Sequence, residues 1–139
     1  MEVTKRDLEA LSRARLEEAF ALQAAGKFSG AYYLAGYAVE LALKACIAGS
    51  FRAAVLPDNR FVQRVYSHNL EELLGLAGLS EALKRDEAAD PALAGSWGVV
   101  RDWNEQSRYQ LWDSVSAAAL IDAIKNDTTG VLPWLREHF

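Results

Sequence analysis

Two charges, Glu40 and Lys44, interrupt the apolar run GAYYLAGYAVELALKAC at residues 30–46. At i and i+4 they share one helix face and can pair. Such a pair is either a structural ion pair where a central helix surfaces at a groove, or one wall of a polar cleft. In the cleft reading Glu40 orients a basic group from another helix, because a buried charge needs a partner. Arg101 and Arg108 are the basic candidates. Acid–base chemistry at neutral pH calls first for an imidazole, and the chain has two histidines, His68 and His138. His68 reads either as a stray acid–base group or as a helix-start residue with a local hydrogen bond. His138 reads as solvated. With Cys46 they are too dispersed to form a metal-ligand cluster. No Gly-x-x-x-x-Gly-Lys phosphate loop and no Gly-x-Gly-x-x-Gly occurs, and nothing marks a nucleophile. No cofactor is expected.

A second grouping lies at residues 97–112. Trp97, Trp103, Tyr109 and Trp112 interleave there with Arg101 and Arg108. Aromatic faces and guanidinium groups suit base stacking and phosphate holding. They suit a protein interface equally, and they suit core packing at a helix junction. A weaker patch, Arg52, Arg60 and Arg64 with Phe51, Phe61 and Tyr66, reads as a solvated loop with aromatic anchors.

The elements that must position these residues are helical. The chain has 139 residues, 51% hydrophobic and 24% charged, which suits one soluble domain covering residues 1–139. Alanine and leucine dominate and β-branched residues are few, so helix is favoured over strand. The net charge of −4 excludes a bulk basic field for nucleic acid. One cysteine allows no internal disulfide and agrees with a reducing cytoplasm. Glu40 and Lys44 argue against a membrane span in the longest apolar run.

Thr4 and Asp7 suggest a capping box for a first helix that Gly26 stops, with a stripe of Leu8, Leu11, Ala14 or Arg15, Ala19 and Leu22. Ser29 is read as the cap of a central helix over about 30–48 that Gly49 closes. Pro57-Asp58-Asn59 marks a turn. Short helices follow from about His68, from Ser80, and from Asp90 with Pro91 at its first position. Residues 104–113 read as a loop. Asp113 or Ser114 opens a last long helix that breaks near 127–132. The fold class is all-α, an up-and-down bundle of four to five main helices.

One segment has a family likeness. ALQAAGKFSGAYYLAGYAVELALKACIA resembles the first helical hairpin of HEPN domains (higher eukaryotes and prokaryotes nucleotide-binding), through Ala31, Tyr33, Leu34, Ala35, Gly36, Tyr37, Ala38, Glu40, Leu43 and Lys44. HNLEELLGLAGL at 68–79 and RDWNEQSRYQ before the last long helix are similar to later segments of such chains. The resemblance implies a HEPN-like bundle that commonly forms a homodimer. It also implies a group that includes RNA-cleaving toxins, partners of minimal nucleotidyltransferases, and inactive nucleotide- or protein-binding relatives.

The nucleolytic members carry Arg, four to six residues, then His, near the start of the last helix. This chain departs from that pattern. Arg101 is followed at those distances by Gln106, Ser107 and Arg108, and Arg108 by Asp113, Ser114 and Val115. Arg64 and His68 are one residue too close and in another segment. Tyr109 is a poor proton carrier at neutral pH, since a tyrosine phenol ordinarily titrates at about 10. The expectation is therefore a non-catalytic cytoplasmic binding module for nucleotide, RNA or a nucleotidyltransferase-type partner, in a bacterial toxin–antitoxin or defence setting. Its cleft would gather Glu40, Lys44, Arg101, Trp103, Arg108 and Tyr109. The alternative is a metal-independent endoribonuclease toxin with a variant site.

Overall fold

The computed structural model describes residues 2–51 and 54–139. Arg52, one member of the weaker patch, lies outside the described residues. Among the described residues the secondary structure is eight α-helices and a 3-10 turn, with no strand. The helices are α1 (Lys5–Ala24), α2 (Phe28–Ser50), α3 (Asn59–Val65), α4 (Leu70–Leu76), α5 (Ser80–Ala89), α6 (Pro91–Val100), α7 (Ser114–Lys125) and α8 (Val131–Arg136). The 3-10 turn spans Glu105–Tyr109. The all-α class holds. The helices outnumber the expected four to five because several connections are themselves helical.

α1 begins where its cap dictates. The Thr4 hydroxyl accepts from the Asp7 N–H and the Asp7 carboxylate accepts from the Thr4 N–H, a complete capping box. Gly26, at φ +74°, turns the chain in a conformation that side-chain-bearing residues rarely adopt. α2 then returns antiparallel, with Leu22 against Gly30 near the turn and Lys5 against Gly49 at the far end. The buried Ser12 hydroxyl donates to the Ala38 carbonyl at 2.7 Å and pins the hairpin at its middle. The buried line of α1 is Ser12, Leu16 and Ala19, so Leu8 and Leu11 face elsewhere.

α2 is the axis of the molecule. It packs against α1, α4, α7, α8 and the 3-10 turn. Thirteen of its residues are buried, which is what a helix apolar on nearly every side requires. By length and composition α2 could cross a membrane, but 72% of its most apolar window is buried among the other helices, as in a core helix. Leu43, Ile47, Leu73, Leu120, Ile124, Leu132 and Leu135 are all fully buried in one cluster around it. Each such side chain contributes about 1.5–3 kcal/mol by leaving water.

Two expected caps act differently. Ser29 lies inside the first turn of α2 and its hydroxyl accepts from the Trp112 N–H at 2.9 Å, tying the start of α2 to the segment before α7. Gly49 falls within α2, with the Lys5 side chain packed close against the place where its Cβ would be. Asp58, Asn69, Asp90 and Asp113 cap α3, α4, α6 and α7 through their side chains.

Candidate functional site

Between residues 31 and 47 of α2, only Tyr33, Leu34, Tyr37 and Lys44 escape full burial. Tyr33, Tyr37, Glu40 and Lys44 follow one another by three or four residues, so they form one stripe along the helix. This stripe is where the apolar axis opens. The Tyr33 and Tyr37 rings stack at 6.2 Å with planes 11° apart. Burial first, then the Glu40 charge, raises the Tyr37 pKa above the usual phenol value.

Among the described residues Glu40 is the one buried charge, only 1% exposed. Both its oxygens are occupied. Lys44 Nζ donates to Oε2 at 3.1 Å, and His68 Nδ1 lies 2.9 Å from Oε1. An ionised carboxylate only accepts, so with Glu40 charged Nδ1 carries the proton in this bond. The His68 side chain remains 47% exposed, and its second nitrogen has no protein partner among the described residues. A buried carboxylate thus fixes one face of an imidazole whose other face meets solvent. This is the geometry by which a supporting carboxylate sets a histidine's tautomer and aim in proton-transfer sites.

Glu40 was expected to orient Arg101 or Arg108 from another helix; its partner from outside α2 is instead His68, which lies between α3 and α4. Glu40 does not hold Arg101 or Arg108, because Lys44 and His68 take both its oxygens. His68 does not bond locally; it reaches back to α2 from the residue before the α4 cap. Arg101 faces Glu71 at 3.7 Å on an exposed surface. Trp103 is 1% exposed and is a core residue, since its indole lies over Gly36 where any side chain would collide. Trp97 is buried as well. Trp112 stacks on Tyr32 at 3.8 Å and donates from Nε1 to the Ser107 carbonyl. Of the 97–112 grouping, Arg108 and Tyr109 remain at the surface beside the stripe. The Arg108 guanidinium lies 4.9 Å from the Tyr109 ring centre. Tyr109 first and Tyr33 next hold the Arg108 pKa above its ordinary value, which places Arg108 at the Tyr33 end of the stripe.

Beside the other end of the stripe a groove of about 540 Å³ runs between α1, α2 and α3. Leu8, Leu11, Val62 and Val65 supply apolar walls, and Tyr37 with Lys44 supplies the polar edge. Of the apolar stripe readable from sequence on α1, Ala19 and Leu22 meet the core, while Leu8 and Leu11 face this groove. Cys46 takes no part in any chemistry here. It is buried, its thiol donates weakly to the Leu135 carbonyl at 3.8 Å, and burial pushes its pKa up to about 11. Among the described residues no group of three or more His, Cys, Asp or Glu side chains could hold a metal ion. Comparison with known protein families, characterised proteins and solved structures returns no match to this chain.

Proposed function

We propose that this chain is a HEPN-like helical module that binds RNA or nucleotide without cleaving it, in a bacterial toxin–antitoxin or defence setting. The binding face is the Tyr33–Tyr37–Glu40–Lys44 stripe with Arg108 and Tyr109 at its end. The observation that carries the reading is the opening of the apolar axis along this one stripe, where stacked tyrosines stand beside Arg108 and Lys44. Aromatic faces hold bases at about 1–3 kcal/mol each, and guanidinium groups hold phosphates. A homodimer, or a minimal nucleotidyltransferase partner, belongs to the same reading and rests on the family likeness of residues 31–44.

The test is fluorescence anisotropy with a labelled single-stranded RNA, beside a gel assay for cleavage in EDTA. The expected result is binding without cleavage, weakened at least five-fold by Arg108→Ala and by Tyr33→Ala. Absence of binding, or equal binding by both variants and the wild type, would sink it.

One observation favours a second reading, a metal-independent ribonuclease with a variant site. The Glu40–His68 pair presents an oriented imidazole to solvent, and a positioned imidazole can move a proton from a 2′-hydroxyl. Cleavage in EDTA that disappears in His68→Gln, with the variant retaining the fold, would establish this reading over the first.

A further inference from the structure

A second charged surface lies on the far edge of α1. Leu11 faces the groove beside the tyrosine stripe, and two residues on, about 200° around the helix, Arg13 faces another cavity. That cavity, about 570 Å³, is lined by Arg13, Glu17 and Phe20 of α1, Lys125 at the end of α7, Asp127, and Arg136 at the end of α8. Three cations from three helices therefore converge on one space.

Among the described residues they converge unpaired. Seven described Lys and Arg side chains lie within 4.0 Å of a carboxylate. Arg13, Lys125 and Arg136 are not among them, although Glu17 and Asp127 share their cavity. Arg13 and Glu17 stand at i and i+4 in the order that pairs less well. Lys125 instead rests over the Phe20 ring, with Nζ 5.6 Å from its centre. Burial first and the Arg13 guanidinium second depress the Arg136 pKa from its ordinary value, so the two arginines feel one another. The three cations outnumber the two carboxylates that share their cavity, and an anion placed between the guanidinium groups lowers their mutual repulsion. A planar guanidinium matches the geometry of phosphate oxygens, and two of them from different helices can grip one phosphate from two sides.

We infer that this cavity binds the terminal phosphate of a small phosphorylated molecule, with Arg13 and Arg136 as the fork and Lys125, lifted from Phe20, as the third donor. The site is separate from the α2 stripe, and neither assignment depends on the other.

Isothermal titration of the full chain with inorganic pyrophosphate, at low and constant chloride, tests it. The expected result is saturable 1:1 binding that Arg13→Ala and Arg136→Ala each weaken at least ten-fold. Arg13→Lys should lose less, and Arg108→Ala, in the other site, should lose nothing. Thermal melts of each variant separate loss of binding from loss of fold, and the Arg13→Lys protein carries the test if an alanine variant unfolds. No saturable heat with wild type, or equal affinity in all variants, would overturn the site. An RNA strand carrying only phosphodiesters that competes as well as pyrophosphate would overturn its assignment to a small terminal phosphate.

Discussion

Gly36 can be no other residue while Trp103 lies on it. The indole covers the face of α2 at that point, and a Cβ there would meet three ring atoms at less than contact distance. Trp103 is fully buried and cannot swing out without opening the core. Gly36→Ala should therefore destabilise the fold by about 1–3 kcal/mol through overpacking. Gly98 makes the control, since a Cβ there meets nothing within 4 Å and the residue sits inside α6. Gly98→Ala should stabilise by about 0.5–1 kcal/mol through the lost freedom of the unfolded chain. Urea denaturation of both variants reads the two signs. At this scale the sequence was half legible. The burial of Glu40 called for partners, and Lys44 at i+4 was one of them. His68 was not visible as the other, because nothing in the spacing of two residues 28 apart says that a turn will bring them to 2.9 Å. Trp103 misled for a related reason, since an indole suits core, interface and ligand alike, and the residue that decides is a glycine on another helix.

Helix starts were the most legible elements, because a cap is a local bond between neighbours. Thr4, Asp90 and Asp113 each accept from backbone N–H groups two or three residues ahead, and each could be named from the chain. Asp90 is the sharpest case, with Pro91 following at the first position of α6, where a missing N–H costs nothing. Asp90→Ala should cost about 1 kcal/mol and Asp90→Asn about a few tenths. Ser80→Ala should cost far less, because Leu79 occupies the N-cap of α5 and Ser80 makes no capping bond. Thermal melts of the three variants give the ranking, and a Ser80→Ala loss equal to that of Asp90→Ala would contradict it. Ser29 shows where local reasoning ends. Its hydroxyl had a good local use at the start of α2, and Trp112, from the segment before α7, claimed it instead.

Across the whole molecule the helices are held very unequally. α2 is buried against most of its neighbours, while α3 contributes no buried residue and packs on α4. Phe61 and Val65 pack half-buried against the core, and the other contacts that hold α3 are peripheral. Phe61 meets Phe51 edge-on at 5.7 Å, Arg64 pairs with Glu72 at 3.0 Å, and the Ser67 hydroxyl donates to the same carboxylate. Beyond them, His68 fastens the end of this segment to Glu40. α3 also forms one wall of the apolar groove, so its opening would widen access to Tyr37 and Lys44. Native-state hydrogen exchange should find the α3 amides opening at a small fraction of the global unfolding free energy, and the central α2 amides only with the whole fold. His68→Ala should lower the α3 opening energy further and leave the α2 amides at the level set by the variant's own global stability. Equal protection of α3 and α2 would mean that the two helices unfold as one unit, and that the wall of the groove is as fixed as its floor.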